Sequence, residues 1–221
     1  MLTALASIDT WIFDLDNTLY PAGANLFARI DERMTAYVAR HLGLPRDEAR
    51  TLQKDYFHRH GTTLTGLMAD HGVDPHEFLA DVHDVEMDVL EVDAPLVAAI
   101  ARLPGRKLVF TNGDTPYALK VLDRLGLGDS FEAIHDIHAM ALVPKPHPSA
   151  YAGLCAALNI EPTRAIFFED MARNLAPAKA IGMITVWIDN GSEQGPEQAR
   201  DFIDFTVRDL GSWLHHIMEA T

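Results

Sequence analysis

The sequence predicts an α/β protein: a doubly wound, mostly parallel sheet with a helical segment inserted after the first strand. Three observations carry this. Short apolar runs recur, each closing abruptly on polar or acidic residues; amphipathic helical patterns separate the later runs; and residues 21–92 show helical patterning without a buried strand.

The first strand is expected at residues 10–13, where Trp11, Ile12 and Phe13 run into Asp14, Leu15, Asp16 and Asn17. Within residues 21–92, Asp74, Pro75 and Glu77 give a helix start ahead of Phe78, Leu79 and Val82. The return to the core falls near residues 91–95, so residues 1–20 and 93–221 are read as the core and 21–92 as a cap. A second strand is read at 107–112 (KLVFTN). It is followed by a helix over 116–125, with Ala118, Val121, Leu122 and Leu125 at helical spacing and Gly126 as its stop. A helix over 149–158, a strand at 165–170 (AIFFED) and another at 183–188 (MITVWI) continue the alternation, and residues 202–207 and 210–218 supply an edge strand and a closing helix. Pro177 argues that the helix after Asp170 starts near Asn174, which could hydrogen-bond the metal shell but is read as the helix cap.

Composition narrows the function. The 221 residues carry 18 Lys+Arg against 32 Asp+Glu, a net charge of −14, and are 48% hydrophobic, as in a globular chain. That charge disfavours nucleic-acid polymers, whose binding rests on many Lys/Arg contacts to phosphate. No apolar run reaches the length of a membrane span, the amino terminus lacks a basic signal-peptide region, and the one cysteine, Cys155, allows no internal disulfide. A cytoplasmic protein without a membrane role is expected, as a monomer or small homo-oligomer.

In an open parallel sheet, ligands collect beyond the carboxyl ends of the strands where the strand order reverses. If three of the strand ends are neighbours, Asp14, Asp16, Thr111, Asn112, Glu169 and Asp170 converge. Each acid alone reads as a solvated turn or helix cap. Together they repel by roughly 4 kcal/mol per pair at about 4 Å in an effective dielectric near 20, so they call for a cation or raised pKa values. Hard oxygen ligands at a partly hydrated site point to Mg²⁺.

The ordered set Asp14-Leu15-Asp16-Asn17-Thr18, Thr111-Asn112-Gly113, Lys145 between prolines, and Phe168-Glu169-Asp170 resembles the four motifs of the haloacid dehalogenase superfamily of phosphohydrolases, over essentially the whole chain. The resemblance implies that Asp14 is the nucleophile forming an aspartyl-phosphate, and that Asp16 protonates the leaving oxygen and then activates water. It further implies that Thr111, with the amides of Asn112 and Gly113, binds phosphate, and that Lys145 offsets the phosphate charge. Mg²⁺ would be held by Asp14, Asp170 and the backbone carbonyl of Asp16, with Glu169 as a ligand or water-mediated acceptor. Many relatives carry two aspartates where this chain has Glu169-Asp170. Thr18 looks like the residue that steadies the first loop.

The stretch from Asp14 to Pro21, with Gly61-Thr62-Thr63-Leu64 in the insertion, resembles the pyrimidine 5'-nucleotidase-type subgroup. That implies a small phosphorylated metabolite as partner, a nucleoside 5'-monophosphate, with Gly61, Thr62 and Thr63 on the cap side of the cleft. By residue type alone, the same three read as a helix junction. His60 and His83 are candidates to face the cleft; Phe27, Tyr37, Tyr56 and Phe57 read first as helix-core aromatics. His135 and His138 share a helix-like spacing but lack a third zinc ligand. Competing functions are a phosphosugar mutase, a phosphoglycolate or sugar-phosphate phosphatase, and a non-enzymatic phosphate-binding signalling module. Haloacid dehalogenation is disfavoured, because it does not use a second acid two residues after the nucleophile.

Overall fold

The computed structural model describes residues 5, 7–192 and 201–219. Six strands form its sheet: β1 (Thr10–Phe13), β2 (Arg106–Phe110), β3 (Ala133–His135), β4 (Ala165–Glu169), β5 (Ile184–Ile188) and β6 (Phe205–Val207). Every pairing is parallel and the order is β3-β2-β1-β4-β5-β6. The strand order therefore reverses beside β1, which lies between β2 and β4. β1 and β4 are buried at every position, which is why they read as continuous apolar runs rather than alternating ones. Phe13 pairs with Phe168 in the ladder, and their rings stack with centroids 4.6 Å apart.

Four α-helices lie within residues 21–92, after β1: α1 (Leu26–Leu42), α2 (Arg46–His60), α3 (Thr63–His71) and α4 (Pro75–Val82). α1 packs on α2 and α4, and α2 on α3. α4 starts where the sequence predicts, with the Asp74 carboxylate accepting from the amides of His76 and Glu77. α3 lies close against α2 because Gly66 faces the Tyr56 ring, with no room between them for a Cβ.

The later helices are α5 (Ala94–Arg102), α6 (Thr115–Arg124), α7 (Pro148–Leu158), α8 (Ala172–Ala180) and α9 (Leu210–Glu219). α5 stands where the sequence suggested only a hinge; Asp93 caps it by accepting from the Leu96 amide. β3 was not anticipated either, since three residues at a sheet edge leave no periodicity to detect. Two expectations are corrected. α8 begins at Ala172 with Met171 at its cap position, so Asn174 lies inside the helix and does not cap it. Pro177 is accommodated as the sixth helical residue, where it contributes no amide to the helix. His135 closes β3 rather than sharing a helix with His138, whose ring instead stacks on His76. No helix among the described residues is long and apolar enough to cross a membrane.

Candidate active site

The register of the central strands brings the acids together. Because Phe13 pairs with Phe168 on one side and Val109 on the other, the next residue out, Asp14, comes level with Glu169 and Phe110. The Asp14 amide donates to the Phe168 carbonyl at 2.9 Å, so the backbone is still sheet-like where the carboxylate emerges. Asp170 follows directly, its carbonyl accepting from Trp187 Nε1 at 2.8 Å. Carboxylate oxygens of Asp14, Glu169 and Asp170 lie within 4.8 Å of one another, and all three residues are buried.

Lys145 meets this cluster from a loop between β3 and α7. It is 1% exposed, and its Nζ donates to Asp14 Oδ1 at 2.7 Å, Glu169 Oε2 at 2.7 Å and the Phe110 carbonyl at 2.8 Å. Burial alone would lower the Lys145 pKa; the two carboxylates overcome it and raise it above the ordinary value. Asn112 fixes the loop, accepting from the Lys145 amide at 2.9 Å and donating to the Lys145 carbonyl at 3.2 Å. The sequence suggested only a backbone contribution from Asn112.

Burial, and then repulsion from Glu169, raises Asp14 to about 7. Burial, followed by Glu169 and Asp14, raises Asp170 to about 9. Three carboxylates face one ammonium, so ionising all of them leaves two negative charges uncompensated, which is the charge of a divalent cation. An all-oxygen donor set with that deficit suits a hard ion such as Mg²⁺. The Asp16 carboxyl lies outside this cluster: it accepts from Tyr20 Oη at 2.6 Å and Tyr117 Oη at 2.5 Å. Burial raises its pKa against those two hydrogen bonds.

Eleven of the residues singled out from the sequence line one cleft of about 710 Å³: Asp14, Asp16, Gly61, Thr62, Thr63, Thr111, Asn112, Gly113, Lys145, Glu169 and Asp170. Thr18 Oγ1 donates to Asp14 Oδ2 at 3.2 Å, which steadies the first loop. Thr111 Oγ1 accepts from the Gly113 amide at 3.0 Å, so its own hydrogen is left to donate outward. On the insertion side, Thr62 caps α3 by accepting from the Thr65 amide, and Thr63 Oγ1 donates to the Gln53 carbonyl, so both hydroxyls also serve the helix junction. Gly61, at φ +85°, sits against the Lys145 loop with 3.6 Å from a Cβ position to the Lys145 carbonyl. Phe27 and Phe57 line the cleft, whereas Tyr37 and Tyr56 are buried in the helical core.

Arg173 and Tyr117 were not legible in the sequence, whereas His83 was, as a candidate to face the cleft. Arg173, from α8, lies over the Phe57 ring at 4.1 Å and donates to the Gly61 carbonyl at 3.3 Å, joining sheet side to insertion. His83 lines the cleft; its Nδ1 is 3.0 Å from Asp114 Oδ1 and its ring stacks on Tyr117. His60 does not line the cleft; its ring meets Tyr56 edge-on. Asn174 is 4% exposed, lines the cleft and has no hydrogen-bond partner for Oδ1. An acid at i and a phenol at i+4 was the available signal for Tyr20; Tyr117 had none, being 101 residues from Asp16.

Fold and site define a doubly wound α/β protein with a buried acidic centre at the sheet's switch point, beside helices α1–α4. The chain belongs to the haloacid dehalogenase-like hydrolase family, whose model matches residues 8–182. It is 26% identical over 195 residues to Phosphate metabolism protein 8 of Saccharomyces cerevisiae, covering 78% of this chain and 59% of that protein. In fold it is similar to a HAD phosphatase from Thermococcus onnurineus (TM-score 0.62, 20% identity, 96% of this chain and 97% of the other). It is similar as well to the L-2-haloacid dehalogenase of Xanthobacter autotrophicus (TM-score 0.59, 18% identity, 97% and 100%).

Proposed function

We propose that this chain is a Mg²⁺-dependent phosphomonoesterase that works through an aspartyl-phosphate, in the cytoplasm, on a small phosphorylated metabolite, with a nucleoside 5'-monophosphate as the favoured substrate class. One observation carries it: Asp14, Lys145, Glu169 and Asp170 form a buried charged centre, and a second acid, Asp16, opens into the same cleft. In this proposal residues 1–20 and 93–221 are the catalytic core and residues 21–92 the cap.

Each side chain then has a task. Asp14, with Oδ1 held by Lys145 and Oδ2 by Thr18, presents a fixed carboxylate for in-line attack on phosphorus. The Thr111 hydroxyl and the Lys145 ammonium receive phosphoryl oxygens. Asp16 gives a proton to the leaving oxygen and later takes one from water. Asp14, Glu169, Asp170 and the Asp16 carbonyl would hold Mg²⁺, which when bound supplies the positive charge that lets a phosphate dianion approach the carboxylates. The similarity to a dehalogenase concerns fold alone, and Asp16 favours phosphate ester hydrolysis over carbon–halogen cleavage. The cleft is in the size range of small-molecule sites. Its cap wall, with Phe27, Met34 and Leu79 beside Lys54, offers a ring-bearing leaving group both apolar contact and a hydrogen-bond donor.

A phosphate-release screen over nucleotides and sugar phosphates identifies the substrate. Asp14→Asn should abolish release with the fold intact, and Asp16→Asn should lower it severely. Turnover near the wild-type level in either variant removes the mechanism, as does full activity in excess chelator.

A further inference from the structure

We infer that Tyr20 and Tyr117 are positioning residues that hold Asp16 by Oδ1 alone and so dedicate its other oxygen, Oδ2, to the leaving group. This rests on the phosphatase activity proposed above. Both phenols donate to the same atom, Tyr20 at 2.6 Å and Tyr117 at 2.5 Å. No hydrogen bond from the described residues reaches Oδ2. Two donated hydrogens use the two lone pairs of Oδ1, so a proton carried by the carboxyl sits on Oδ2. Turning the protonated carboxyl over would set its O–H against both phenolic hydrogens, and neither ring can move aside: Tyr20 is 3% exposed and Tyr117 1%.

Tyr117 is itself held from two directions. It stands in the first turn of α6, where its amide donates to Asp114 Oδ1 at 3.1 Å. Its ring is covered by His83, with centroids 4.2 Å apart, and His83 is tied to that same Asp114 oxygen. His83 follows α4 in the inserted region, so the orientation of Asp16 is supported by a side chain that is in place only when the insertion sits against α6.

In the first half-reaction the bond from Asp14 to phosphorus forms while the bond from phosphorus to the leaving oxygen breaks. The proton on Asp16 Oδ2 goes to that oxygen, and the carboxylate left behind keeps both phenolic hydrogens on Oδ1. In the second half-reaction Oδ2 takes a proton from water as the water oxygen bonds to phosphorus and the Asp14–phosphorus bond breaks. The alcohol and inorganic phosphate leave, and the enzyme is restored.

Leaving-group dependence tests this, because an oriented acid matters only where the departing oxygen needs a proton. Values of kcat/KM would be measured with Mg²⁺ on a nucleoside 5'-monophosphate and on p-nitrophenyl phosphate, whose phenolate departs unprotonated. Tyr20→Phe/Tyr117→Phe keeps both rings and should lower kcat/KM about 10²-fold on the nucleotide but by less than about threefold on p-nitrophenyl phosphate. Each single variant should fall between wild type and the double variant, and decides the matter if the double variant does not fold. Equal losses on the two substrates, or no loss on the nucleotide, overturn the inference. Asp16→Asn is the reference: if it shows the leaving-group-dependent loss while the phenylalanine variants do not, the positioning role alone fails. If Asp16→Asn retains full activity on both substrates, the proposed phosphatase chemistry fails first and the inference with it.

Discussion

Replacing Lys145 by methionine keeps a side chain of similar length and removes the one ammonium in the centre. The magnitude follows from what is left behind. Lys145 Nζ contacts Asp14 and Glu169 at 2.7 Å each, in a site where the lysine side chain and that of Glu169 are both 1% exposed. Removing one partner of a buried ion pair costs about 3–5 kcal/mol, because the remaining charge is buried without compensation. Unfolding entropy of about 2.1 cal/mol/K per residue gives roughly 0.46 kcal/mol/K for 221 residues, so the midpoint should fall by about 6–11 °C. The assay is thermal unfolding followed by far-UV circular dichroism at neutral pH in chelator. Added Mg²⁺ should then recover more stability for Lys145→Met than for wild type, since it supplies the missing charge. A fall of less than about 2 °C, or an equal response to Mg²⁺, would refute the assignment of Lys145 as the compensating charge of this cluster.

Two pH dependences of opposite sign are expected. Without metal, Asp14 and Asp170 are held up at about 7 and about 9 in the folded chain against an ordinary 3.8, so the folded form binds protons that the unfolded form has released. Stability in chelator should therefore decline as pH rises from about 4 toward 9, and Asp170→Asn should flatten that decline; a level profile of urea midpoints argues against it. Asp136 behaves oppositely. Burial would raise it, but hydrogen bonds from Thr115 and Ala139 hold it below its ordinary value, so its contribution is present above 3.8 and is lost as pH falls through the lower folded value. Asp136 accepts from the Thr115 amide at 2.8 Å, Thr115 Oγ1 at 2.7 Å and the Ala139 amide at 2.9 Å. Asp136→Ala should cost about 2–3 kcal/mol in denaturant unfolding at neutral pH. The gap from wild type should narrow below about pH 4, and a gap constant with pH would show that the carboxylate charge is irrelevant.

The strands ending at Asp14, Thr111 and Asp170 were legible because each is a buried parallel strand, whose apolar run stops where the chain leaves the sheet. Helix starts carried by a local acid were legible for a similar reason: the Asp74 carboxylate and the amides it accepts from are two or three residues apart. The α8 start was misjudged because Pro177 forbids only one backbone hydrogen bond, and a proline in a helix that lies against β4 and β5 is tolerated. β3 escaped because its three residues answer to the neighbouring Phe110 strand rather than to any pattern of their own.

By itself, the chain's order of residues determined the class of fold, the acids that gather at its switch point and their requirement for a counter-charge. These depend on contacts near in sequence or on the burial of whole strands. Tertiary structure alone decided that Lys145 sits between Asp14 and Glu169, that Asn112 grips the lysine loop, and that Tyr117 and Tyr20 share one oxygen of Asp16. Those partners are brought together by strand register and helix docking, and neither is encoded in spacing along the chain.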